Sequence, residues 1–488
     1  MKINIVIFIL LIFTSLPAQT DFRFNDYFSD KTMRIDYFHT GDSEADIISL
    51  DKIYVYGIWA GSKNGLIDPF NNGKYYVKIF DYSSNKMIFS KGFDSYFFEY
   101  QTSANALKGI KKTFHESVLI PAPKNAINFV LYKRNSKNIL KKLYETKISP
   151  GDVNIICEKP DTSLVVVETH FSGNPHTKVD IVILSEGYTK SEYQKFKKDL
   201  EKFTRVFLTQ EPYNSMRDKF NIRGIFKPSQ ESGVDEPRAG VFRNTNLNCT
   251  FNSLGSARYL LTEDNKAIRD MASAVPYDAI YIMVNHERYG GGGIYNQFCT
   301  FTTDNKWSEY VFLHEFGHSF SGLADEYYSS AVAYSDFYPQ GIEPVEPNIT
   351  ALLNPPKVKW NQFVTPGIEI PTPWRKTEFD SLDFAWQKQR RKINDEIAKL
   401  KKENVPRGII DSLISEAGRI KKAHTKRIER FLRSSKYWGK VGAFEGAGYA
   451  SEGLYRPMLD CIMFSIGEKP FCKVCENAII SVIKHYTE

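Results

Sequence analysis

An apolar block, Ile3 to Phe13, follows a basic Met1-Lys2 and precedes Leu16-Pro17-Ala18. A short basic start, an apolar run and a small-residue step predict a cleaved export signal over 1–18, with the mature chain beginning near Gln19. Strand-like runs then dominate as far as about residue 150. Lys52–Trp59, Lys74–Phe80 and Ala126–Tyr132 are rich in β-branched and aromatic residues and are separated by turn signals such as Asp68-Pro69 and Asn71-Asn72-Gly73. Strands at this spacing predict a β-sandwich over 19–150. Pro150-Gly151 and Lys159-Pro160-Asp161 mark 151–174 as a linker.

From 175 the pattern changes. Val179–Leu184 is a continuous apolar strand running into Glu186-Gly187. Phe196, Leu200, Phe203 and Phe207 fall at helical spacing, which predicts a helix capped by Ser191 and running to Phe207. Asn221–Phe226 and Asp278–Val284 are further strands, so 175–488 reads as a mixed sheet backed by helices and the fold class as α+β. Gly290–Gly293 lacks the Lys and Ser/Thr of a phosphate loop and reads as a flexible loop beside a strand. Ile393, Ile397 and Leu400, then Ile410, Leu413, Ile414 and Ala417 beyond Pro406 and Gly408, predict a helical hairpin inserted across 378–438.

Composition narrows the classes. With 488 residues, 42% hydrophobic and 14% aromatic, the chain is too long for one small domain and too apolar to be disordered throughout. No apolar run beyond the N-terminus is long enough for an integral membrane span. The net charge is +7, yet Trp386–Lys440 alone holds 17 Lys/Arg against 6 Asp/Glu, so the remainder is acidic. The basic character is therefore that of the hairpin, as a solvated face or as a patch for an acidic partner. Nucleic acid is excluded as a partner by export and by the lack of a recognition motif. Six cysteines in an oxidising compartment allow disulfides without fixing their pairing. Cys472-Lys-Val-Cys475 reads as a disulfide or as packing, because a four-thiolate zinc site needs a second such pair and the sequence has none.

The chemistry concentrates at His314-Glu315-Phe-Gly-His318. On a helix, two histidines four residues apart share one face and can take two corners of a tetrahedral zinc. Glu315 beside them is placed to act as general base toward water. Gly322 ends the helix and turns the chain back, which brings Asp325 forward as the third ligand. Glu326 is its rival, and a more distant ligand stays open. Ser185 has no Gly-x-Ser-x-Gly elbow around it, which argues against a serine nucleophile.

His314-Glu-Phe-Gly-His-Ser-Phe-Ser-Gly-Leu-Ala-Asp-Glu-Tyr327 resembles the signature of the IgA-peptidase family of metzincin-like zinc metallopeptidases. Glu186-Gly187-Tyr188-Thr189 and Phe471-Cys-Lys-Val-Cys475 support the resemblance, which covers roughly 175–488, and the N-terminal β module resembles the one that precedes such domains. The resemblance implies Zn2+ held by His314, His318 and Asp325, Glu315 as base, and a methionine turn beneath the metal. Met463, in Asp460-Cys-Ile-Met-Phe464, is the choice for that turn, with Met458 as runner-up. The implied function is exported hydrolysis of a protein or glycoprotein, in a secreted, periplasmic or cell-surface setting. The rival readings are a zinc hydrolase of non-peptide amides and a non-catalytic binding or adhesin protein.

Overall fold

The computed structural model describes residues 23–157, 159, 161–328, 338–403 and 405–488. The predicted export signal over 1–18 lies outside them.

The N-terminal module holds α1 (Phe24–Tyr27), β1 (Phe28–Gly41), β2 (Asp46–Tyr56), β3 (Tyr75–Asp81), β4 (Met87–Phe93), α2 (Tyr96–Gln101), α3 (Ala104–Leu107), β5 (Lys112–Pro123), β6 (Ile127–Arg134) and β7 (Leu140–Ile148). One antiparallel sheet runs β2-β1-β5 and the other β4-β3-β6-β7. Alternate residues of both sheets, among them Ile35 and Tyr37 on β1 and Val77 and Ile79 on β3, meet in one buried core, the arrangement of a sandwich.

The larger unit adds β8 (Val165–His170), β9 (Val179–Glu186), α4 (Tyr193–Thr209), β10 (Phe220–Phe226), α5 (Asn265–Ala272), β11 (Ala279–Val284), β12 (Gly291–Ile294), β13 (Phe298–Thr302) and α6 (Ser308–Ser321). After these come α7 (Lys376–Lys402), α8 (Arg407–Arg433), β14 (Phe444–Ala447), β15 (Ala450–Arg456) and α9 (Lys473–Thr487). Its main sheet runs β12-β13-β11-β9-β10-β8; the four central strands are parallel, and β8 and β12 are antiparallel edges. All eight residues of β9 are buried, as a central strand covered on both faces requires. Ile181 and Ile183 face Phe196, Leu200, Phe203 and Phe207 of α4, while Val182 and Leu184 face the opposite layer. A Cβ on Gly224 of β10 would lie 2.4 Å from Leu200 Cδ2, so glycine there is what lets α4 approach the sheet.

Three sequence expectations differ in detail. The segment read as a linker, 151–174, carries β8, because Val165-Val166-Val167 pairs with β10 at the sheet edge. The helix predicted from Ser191 begins at Tyr193, after a 3-10 turn led in by Thr189, whose N–H donates to Glu192 Oε2 at 2.8 Å. Gly290–Gly293, read as a flexible loop, contributes β12, paired residue for residue with β13. Glycine has little strand propensity, but here space decides. A Cβ on Gly291 would stand 2.5 Å from Val311 Cγ1, and one on Gly293 2.5 Å from the Glu315 carbonyl oxygen. The edge strand can press against α6 only without side chains.

The sandwich is docked firmly on the larger unit. Asn296 Nδ2 donates to Gly92 O at 2.7 Å, Arg34 Nη1 to Asp270 Oδ1 at 2.8 Å, and Lys91 Nζ to the Tyr486 hydroxyl at 2.9 Å. Tyr96, Phe97 and Phe114 share a buried cluster with Val182, Leu184 and Ile282 of the central sheet. The helical insert is the α7/α8 hairpin. Phe379 and Trp386 on α7 and Ile428 and Leu432 on α8 are buried, and the hairpin is held down by Lys401 to Glu236 (2.9 Å) and by Lys306 to the Gly418 carbonyl (2.7 Å).

Candidate metal centre

Helix α6 is apolar nearly all round, the pattern of a helix enclosed in a core: Tyr310, Val311, Phe312, Leu313, Phe316 and Phe320 are buried. Gly322, with φ of 61°, supplies the left-handed residue that ends it, and the N–H of Leu323 then donates to Gly317 O at 3.1 Å. The helix runs three residues past His318 before turning, and the reversed chain brings Asp325 back over the histidine face.

The two imidazoles are oriented from behind. His314 Nδ1 sits 3.0 Å from Ile462 O and 3.2 Å from the Tyr310 hydroxyl; His318 Nδ1 sits 2.6 Å from Leu323 O. A carbonyl accepts only, so Nδ1 carries the proton in each ring and Nε2 is left as the free donor atom. His314 Nε2 and His318 Nε2 are 3.2 Å apart, and Asp325 Oδ1 lies 3.1 Å from the first and 3.2 Å from the second. Ligand bonds of about 2.0 Å in a tetrahedron give edges of about 3.3 Å, close to this triangle. Asp325 Oδ1 is buried and has no hydrogen-bond partner, which fits an oxygen meant for a cation. Burial opposes charge on these groups, but His318 and His314 hold the Asp325 carboxyl well below the usual carboxylate range. Burial likewise works against a charged His318, yet Asp325 draws that imidazole up to about 9.

Glu315 lines the same cleft, together with Gly291 and Gly293 of β12. Burial raises its carboxyl above the ordinary range, while the two imidazoles pull it back. Met463 is fully buried beneath α6, where a Cβ on Gly317 would lie 2.9 Å from its Sδ; Met458 is only partly buried. The rival ligand Glu326 points elsewhere, its Oε1 lying 3.2 Å from Cys475 Sγ.

Two cleft residues escape sequence reasoning. Tyr449, with φ of 63° at the β14–β15 turn, donates its hydroxyl to Asp325 Oδ2. Arg258 Nη2 donates to the Tyr327 hydroxyl at 3.1 Å, and that tyrosine stands beside the His314 ring. The only signal for the first is the Gly446-Ala-Gly-Tyr449 turn; for the second there is none. Asp94 and Glu99 of the N-terminal module complete the wall. Of the disulfide and packing readings of Cys472 and Cys475, packing is what the structure shows: both are buried, and no cysteine is bonded to another.

Residues 167–483 match the IgA Peptidase M64 family, and residues 23–145 match the Peptidase M64 N-terminus. The chain belongs to this family of metallopeptidases; it is a peptidase, a hydrolase with protein as its substrate. No curated protein matches it. No helix among the described residues is long and apolar enough to cross a membrane.

Proposed function

We propose that the chain is an exported zinc-dependent endopeptidase that uses Glu315 as general base. The observation that carries this reading is the near-equilateral triangle of His314 Nε2, His318 Nε2 and Asp325 Oδ1, with the Glu315 carboxyl beside it. Three protein ligands with an open side are the donor set of a catalytic rather than a structural zinc. Zinc held there supplies Lewis acidity toward the scissile carbonyl and toward water.

The rest is the work of side chains. Glu315 takes a proton from the attacking water and returns it to the leaving amine. The outer edge of β12 is bridged to Tyr259 at Gly291, and Gly293 beyond that bridge stands on the cleft, where an extended peptide can approach its main chain. Asp325 and the imidazoles keep their orientation through Tyr449, Ile462 O and Leu323 O. Export rests on the N-terminal sequence pattern.

The test is incubation of the mature chain with immunoglobulin A, the substrate in the family's name, with a mixed protein panel and with small amides. Each is run with and without chelator, and new termini are read by mass spectrometry. Chelator-sensitive internal cleavage of protein is the expected result; hydrolysis confined to small amides, or none, contradicts the reading.

A further inference from the structure

Directly behind the first centre lies a second cluster of ligand-bearing side chains. Glu326, Cys461, Cys472 and Cys475 are all buried, and each offers a ligand atom within 4.8 Å of the others'. Cys461 Sγ is 3.9 Å from Cys475 Sγ, and Glu326 Oε1 is 3.2 Å from Cys475 Sγ and 3.8 Å from Cys472 Sγ. Bonds of about 2.3 Å to sulfur and about 2.0 Å to oxygen give tetrahedral edges of about 3.5–3.8 Å. Glu326 Oε2 is buried with no hydrogen-bond partner, an expensive state for a polar atom with no ligand to meet it.

We propose that these four residues form a second metal site, a closed and purely structural zinc centre with three thiolate ligands and one carboxylate. The surroundings are those of thiolates. Backbone N–H groups of Cys472 and Met463 donate to Cys461 Sγ at 3.2 and 3.4 Å, and that of Cys475 donates to Cys472 Sγ at 3.5 Å. Cys472 and Cys475 sit at the N-terminus of α9, where the helix dipole favours negative charge. The fully buried Arg456 guanidinium, acting electrostatically on Glu326, supplies further positive charge. Three thiolates select zinc over magnesium or calcium, and four protein ligands leave no position for substrate.

A disulfide accounts for the cluster less well. It would use two of the three sulfurs, leave one thiol over, and leave Glu326 Oε2 without a partner. The metal, in contrast, ties together three segments that build the floor of the cleft: the stretch after Gly322 through Glu326, the Met463 turn through Cys461, and α9 through Cys472 and Cys475. Glu326 is the immediate neighbour of Asp325, and its N–H donates to Met463 O at 2.9 Å.

The experiment is elemental analysis of the full mature chain, with X-ray absorption at the zinc edge, on wild type and on a His314→Ala/His318→Ala variant. Wild type is expected to hold about two zinc ions and the double variant about one. The ion left in the variant should show sulfur neighbours at about 2.3 Å. Because the variant lacks the first centre, this readout does not depend on peptidase activity. A second readout is titration of wild type with a mercurial while following zinc release: one zinc should be freed as Cys461, Cys472 and Cys475 are blocked. Zinc absent from the histidine variant, a shell of nitrogen and oxygen only, or a bond between any two of the three cysteines in non-reducing peptide maps overturns the site.

Discussion

The phenolic hydroxyl of Tyr449 donates to Asp325 Oδ2, while Asp325 Oδ1 faces the Nε2 atoms of His314 and His318. One carboxylate is thus aimed by a tyrosine 124 residues further along the chain. Tyr449→Phe removes the bond and keeps the ring, so the centre should remain but hold metal less tightly. Loss of such an orienting partner costs about 10- to 100-fold in affinity, measurable by competition with a coloured chelator. Unchanged affinity would make the contact incidental.

Gly293 sets the distance between β12 and α6. A Cβ there would meet the Glu315 carbonyl oxygen at 2.5 Å and His318 Cβ at 3.1 Å, and backbone cannot yield cheaply. Gly293→Ala should destabilise the chain by about 1–3 kcal/mol in urea unfolding and reduce turnover. A variant as stable and active as wild type would show that the edge strand is not held against the helix.

Asp94, from the N-terminal module, has its carboxyl pushed up to about 7 by burial, with Glu346 and Glu99 adding to the rise and the N–H and charge of Lys74 opposing it. The folded chain therefore keeps a proton that the unfolded chain releases near pH 3.9. This contribution to stability is complete below about pH 3.9 and is lost as pH rises through about 7. Asp94→Asn should be more stable than wild type at pH 8, by about 1 kcal/mol or more, and should show no such advantage at pH 4. Urea titrations of both at the two pH values give the answer.

The basic hairpin does not simply face solvent. Arg390 and Lys421 line a cavity of ≈ 970 Å³ that shares Arg258 and Tyr289 with the cleft. Arg390→Ala should lower kcat/KM for peptides acidic near the cut by roughly tenfold and leave neutral peptides nearly unchanged. The difference should shrink in high salt. Equal effects on both peptide classes would argue for a packing role.

What the sequence disclosed depends on how local each feature is. The histidines, Glu315 and the turn at Gly322 lie within one helix and its cap, where spacing alone fixes direction. The apolar run of β9 and the spacing of α4 are likewise local. β12 is not: its glycines answer to Val311 and Glu315, contacts that only the folded chain creates. Cys461 joins Cys472-Lys-Val-Cys475 as a lone cysteine 11 residues before it and Glu326 from 146 residues away, so no second pair of cysteines was there to be seen. Tyr449 approaches Asp325 in the same way.

The most direct test compares wild type with Glu315→Gln, measuring metal content and peptide hydrolysis on the same preparations. Gln keeps the shape and cannot take a proton, so metal should stay at the wild-type level while hydrolysis falls by about 10²-fold or more. Hydrolysis at the wild-type rate in that variant would contradict the role of Glu315, and with it the proposed mechanism.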